Sequence, residues 1–134
     1  MPALEPLTGI RMVASQTAID GARWQSEDAL ALRLAPDELL VLAPEGVRVF
    51  EDGAIYDVET GFAGAWLTGE QLDVVRRHTE WSVPVDGHGI AQGKVAGVPV
   101  KLRTGDPAVR PTDAPALLVV QTAHADELRR RLGW

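Results

Sequence analysis

Cysteine is absent from this chain. Disulfide staples, thiolate nucleophiles, zinc ribbons and iron–sulfur clusters are excluded together by that one fact. The absence also suits a reducing compartment, and a cytoplasmic location is expected. Lysine is nearly absent too. Of thirteen cationic residues only Lys94 and Lys101 are lysines, and the rest are arginines. Nineteen acidic residues outnumber these cations and leave a net charge of −6. A duplex-binding protein needs clustered cations to displace counterions, so nucleic acid is not an expected partner. Apolar runs are short, and none approaches the length of a membrane span. The first residues, Met1 to Leu7, lack the basic start and apolar run of a signal peptide. Aromatic residues make up only 5% of the chain, yet four of them are tryptophan against two phenylalanines.

What is present is enough for one folded domain. A chain of 134 residues with 46% hydrophobic content and a mean hydropathy near zero can bury a core, and it falls short of two ordinary domains. Residues 1–8, with prolines at positions 2 and 6, read as a flexible arm, and 9–134 as a single domain. Ile10 to Ala14 reads as a strand, and Thr17 to Trp24 as a weaker one. Leu30-Ala-Leu-Arg-Leu34 alternates as a half-buried strand does. Turn chemistry at Ala35 to Glu38 follows, and then Leu39-Leu-Val-Leu42, whose unbroken apolar run implies burial on both faces. Val47 to Phe50 and Ala54 to Val58 flank Glu51-Asp-Gly53 in the manner of a hairpin.

The second half carries the clearest grammar. An alternating segment, Phe62 to Leu67, runs into Thr68-Gly-Glu-Gln71, which has the form of a capping box. Leu72 and Val75 supply the buried stripe of the helix it opens. Two short strands, Ile90 to Val95 and Val98 to Arg103, meet at Ala96-Gly97 with hairpin spacing. Pro99 cannot donate to a ladder, so an edge or a bulge is expected there. An apolar strand, Leu117 to Val120, leads to a last helix with Ala125, Leu128 and Leu132 on one face and Arg129 to Arg131 at the favourable end of its dipole. From position 55 onwards the order is therefore strand–helix–strand–strand–strand–helix. The breaker-rich stretch Thr104 to Pro115 is either a mobile hairpin tip or a clamp over a ligand or partner. Leu30 to Leu42 and Val98 to Val120 echo each other as strand, turn and buried strand, which common hairpin grammar explains as well as duplication does.

Three segments resemble a known family. Leu34-Ala-Pro-Asp-Glu-Leu-Leu-Val-Leu42 resembles a Gly-Pro-Asp-Glu-Trp-Leu-Leu segment of the gamma subunit of heterotetrameric sarcosine oxidase. Ala54-Ile-Tyr-Asp-Val58 resembles the Asp-Val-Ser strand start shared with the aminomethyltransferase (T-protein) of the glycine cleavage system. Val119 to Leu132, strand into helix, resembles the end of the same module. The resemblance implies an α+β fold of the folate-binding aminomethyltransferase type, a ferredoxin-like module with two helices against an antiparallel sheet, clearest over 54–132. It also implies a small, chiefly assembling subunit of a complex that oxidatively demethylates N-methyl amino acids, with the flavins and the folate site on larger chains. The chain departs from the catalytic members, because Glu59 stands where they have serine and their Asn-Asp step after the first helix has no counterpart. Only Asp57 carries over, as a possible folate contact.

The remaining chemistry is thin. Asp57 is either a ligand anchor or a turn-capping strand-end acid, and a lone acid without a positioned partner is not a site. Arg110 could pair with a ligand carboxylate. His78 with Glu80, and Asp86 with His88, are metal-ligand residue types, but they fall in loop-like surroundings without the fixed geometry a metal needs. Gly87-His-Gly89 precedes a strand and not a helix, which rules out a phosphate cradle. No serine lies in a nucleophile elbow. Trp81 and Trp134, in exposed-looking places, either anchor a partner or fold back on their own helices. A non-catalytic subunit that binds no cofactor directly and docks on a larger oxidase-type chain is the leading expectation. A stand-alone folate or amine binder and a self-associating structural protein are the alternatives.

Overall fold

The structure, a computed structural model, describes residues 4–21, 30–42, 54–81, 90–104 and 116–134. Among them are seven strands and three helices in the order β1 (Glu5–Val13), α1 (Gln16–Gly21), β2 (Leu30–Ala35), β3 (Glu38–Leu42), β4 (Ile55–Leu67), α2 (Gly69–Arg77), β5 (Ile90–Val95), β6 (Val98–Thr104), β7 (Ala116–Gln121) and α3 (Thr122–Leu132). The protein is α+β, and its strands follow the hydrogen-bonded order β2-β3-β1-β4-β7-β6-β5 in an antiparallel sheet. The chain divides into two compact units, residues 7–60 and residues 1–6 with 61–134.

The unit of residues 7–60 is built on β3. Every residue from Leu39 to Leu42 is buried, as its unbroken apolar run implies. β3 pairs with β1 through Ile10↔Val41 and Met12↔Leu39, and with β2 through Leu30↔Leu42 and Leu32↔Leu40. Met12, Ile19, Leu39 and Val41 form a core on one face. Ile19 comes from α1, where sequence reasoning expects a weak strand over Thr17 to Trp24. The helix wins because the Ser15 hydroxyl accepts from the Ala18 amide at 3.2 Å, which is N-cap geometry, and Ile19 then anchors the turn. Residues 22–24 lie outside the described residues. Glu5 to Thr8, within the stretch read as a loose arm, belong to β1. Arg33 ties the β2–β3 turn by donating to the carbonyls of Ala35 and Pro36, and it pairs with Asp20 at 2.8 Å.

The other unit holds β4 from Gly61, α2, β5, β6, β7 and α3. Within it the order is β4-β7-β6-β5. One core joins Ala63 and Leu67 of β4, Val95, Val98, Val100 and Leu102 of the β5–β6 hairpin, Leu118 and Val120 of β7, Leu72 and Val75 of α2, and Ala125, Leu128 and Leu132 of α3. Alternation assigns the opposite face to Phe62, Gly64 and Trp66 of β4, Leu117, Val119 and Gln121 of β7, and Pro99, Lys101 and Arg103 of β6. Trp66, expected in the core, is only half-buried.

Local chemistry fixes the ends of these elements. The capping box is complete: Thr68 Oγ1 accepts from the Gln71 amide at 3.3 Å, and Gln71 Oε1 accepts from the Thr68 amide at 2.8 Å. Ala96 and Gly97, at φ 50 and 80°, make the primed turn of a two-residue hairpin. Pro99 pairs with Lys94, one step past the closing pair Val95↔Val98, so its nitrogen points away from β5. The β7 ladder starts only at Val100, and no donor is missed. α3 ends at Gly133, φ 76°, with the Trp134 amide donating to Arg129 O and the Gly133 amide to Arg130 O, a Schellman motif.

Candidate functional site

The most exposed large apolar side chains described here are Ile55 (64%) and Val58 (72%) in the first half of β4, with Tyr56 between them also exposed. Strand alternation places Ile55, Asp57 and Glu59 on one face and Tyr56, Val58 and Thr60 on the other. Apolar surface is therefore offered on both faces within four consecutive residues. Single exposed apolar residues are ordinary, but a run of them marks a surface made to be covered. The other large aliphatic side chains of the strands near it, such as Leu40, Val41 and Met12, are fully buried.

Asp57 lies in the middle of this run and is exposed. Sequence reasoning weighs it as a ligand anchor against a turn-capping acid, and on its own face of the strand it stands between Ile55 and Glu59. Arg110 lies outside the described residues, as do 105–115 of the breaker-rich stretch. The two candidates are thus not brought together by anything described.

The metal-type residues fare similarly. His78 is exposed at the C-terminal end of α2, its Nδ1 at 2.9 Å from Val74 O, and Glu80 is exposed. Asp86 and His88 lie outside the described residues. Among the described residues there is no group of three His, Cys, Asp or Glu able to hold a metal ion.

Both candidate interface tryptophans have contacts inside their own unit. Trp81 is half-buried, packs against the core and donates from Nε1 to Lys94 O at 2.8 Å. Its indole lies over Gly93 of β5, where a methyl group would come within 2.5 Å of the ring. Trp134 packs on the same core from the end of α3. β5 ends the strand order, and Trp81 with the Ala96 amide–His78 carbonyl bond of 2.8 Å covers part of its outer edge. Gly93 was the available signal, since a glycine inside a strand marks a close approach. Its partner Trp81, twelve residues earlier in the sequence, had none.

Charge on α3 is arranged for stability. Glu127 pairs with Arg130 and, at 2.7 Å, with Arg131. Desolvation alone would raise its pKa, but the two guanidiniums outweigh that effect and hold it below its ordinary value. Arg131 also donates to Ala96 O at 2.7 Å, which fastens α3 to the β5–β6 turn. The arginine run is thus partly structural. A shallow depression on α2, lined by Glu70, Asp73, Val74, Arg76 and Arg77, brings no catalytic grouping together.

Comparison with protein-family models, with curated proteins and with solved structures gives no match. No described helix is long and apolar enough to cross a membrane.

Proposed function

We propose that this chain is a non-catalytic small subunit, gamma-like, of a flavin- and folate-dependent amine-demethylating complex of the sarcosine oxidase type, acting in the cytoplasm. The observation that carries the partner-binding part is the exposed run Ile55-Tyr56-Asp57-Val58. An accessory subunit must offer surface that is buried only in its complex, and apolar side chains at a strand are suited to that task. The kind of partner comes from the resemblance, which includes this same strand start, Ala54 to Val58. An aminomethyltransferase-like layout belongs to the proposal. Two helices with an antiparallel sheet support it, although a ferredoxin-like module has a helix before its last strand, where this chain has α3 after β7.

The test is recovery of the tagged chain from its native host under mild conditions. The reading requires a larger flavoprotein in fixed stoichiometry that oxidises N-methyl amino acids. Recovery of the chain alone, or with a protein lacking flavin and that activity, would exclude it.

A further inference from the structure

Formal charge is divided unequally between the two compact units. Residues 7–60 hold ten acids against four arginines, which accounts for the whole net charge of −6. Residues 1–6 with 61–134 hold nine acids and nine cations and are neutral. Ion pairs inside a unit leave such a sum unchanged. Arg11 and Arg33 are each engaged by an acid of their own unit, Glu38 and Asp20. Six negative charges remain in residues 7–60 whichever pairs form.

The exposed run of β4 belongs to this acidic unit, and its own stretch is the most one-sided. Residues 51–60, Glu-Asp-Gly-Ala-Ile-Tyr-Asp-Val-Glu-Thr, hold four acids and no cation. Tyr56 and Glu59 have interactions of their own within the chain. Contact with a partner therefore falls on Ile55, Asp57 and Val58, which are exposed. Ile55 and Val58 stand on opposite faces of the strand. One flat surface covers one of them and leaves the other in water. Cover for both needs walls on two sides of the segment.

We infer that Ile55 to Val58 are received by a groove of the partner, apolar at its walls and lined with arginine or lysine at its rim. Such a groove rests on the reading of the chain as an assembly subunit, and it specifies the chemistry of the larger chain. Apolar side chains on both faces favour burial between walls, and the field of the acidic unit repels any surface of its own sign. Cations at the rim turn that field into attraction and speed encounter. A second copy of this chain is the poorer occupant, because it sets one net charge of −6 against another. Nucleic acid is disfavoured for the same reason.

The chain has no cysteine, so Ile55→Cys and Val58→Cys each introduce a single thiol. The test is iodoacetamide labelling of each variant, free and in the complex recovered from the native host, read on this chain by mass. Loss of labelling at both positions in the complex is the expected result. Should a thiol prevent assembly, hydroxyl-radical footprinting of the wild-type complex reads the same two side chains. The wild-type complex should weaken as salt is raised, and Asp57→Asn should lower its affinity about threefold to tenfold. Protection of one position alone would show a flat partner surface and overturn the groove. Affinity unchanged by salt and by Asp57→Asn would overturn the cationic rim. Either of these results leaves the assembly role standing. Recovery of no complex, or a complex with both positions still open, removes the β4 interface and this groove with it.

Discussion

Gly93 and Trp81 show how one residue controls another at a distance. An indole lies where the side chain of residue 93 would be, and its Nε1–H satisfies the outward carbonyl of Lys94. Gly93→Ala should displace the ring and destabilise the protein by about 1–3 kcal/mol, an overpacking cost. In urea melts the Trp81→Ala and Gly93→Ala effects should be less than additive, and full additivity would show that the ring does not depend on the glycine. Glu127 makes a different prediction. Its pKa is lowered in the folded state, so its contribution is present above the unfolded value and disappears as pH falls through the folded one. Wild-type protein should therefore lose its stability advantage over Glu127→Gln as acid is added, and a constant difference would contradict the pairing with Arg130 and Arg131.

Elements obey local rules where local rules suffice. The capping box of α2 is visible in Thr68-Gly-Glu-Gln71 and complete in the structure. Thr68→Ala should cost about 1 kcal/mol. α3 begins at Gln121 without a side-chain cap. Gln121→Ser should add about 0.5–1 kcal/mol, checked by thermal melting. The burial of Leu39 to Leu42, the stripe of α3 and the hairpin at Ala96-Gly97 were equally legible, because each depends on spacing within a few residues. Legibility ends where structure depends on distant partners. β4 is one strand of 13 residues, although the sequence pattern reads as two segments, Ala54 to Val58 and Phe62 to Leu67. α1 is a helix because Ser15 caps it and Ile19 finds Met12, Leu39 and Val41, a fact no window of sequence contains. The candidate site was half legible. Asp57 was singled out, but the apolar exposure of its neighbours is a property of the folded strand.

At the scale of the whole molecule, the two compact units differ in what they offer. Residues 7–60 include an apolar run with acids in it, and the strands from 61 onwards carry cations without acids. The exposed apolar run is what the proposed assembly role requires. The β4 run is the centre of the account. Replacing Ile55 and Val58 by Asp changes exposed positions, so stability should shift by less than about 0.5 kcal/mol. Partner binding should fall by more than about tenfold if these side chains are interface anchors. The most direct measurement is the flavin absorbance recovered per tagged chain from the native host, for wild type and for Ile55→Asp/Val58→Asp. Flavin in fixed proportion to wild type and its loss from the folded variant are the predicted result. Equal flavin recovery with both proteins, or none with wild type, would contradict the account.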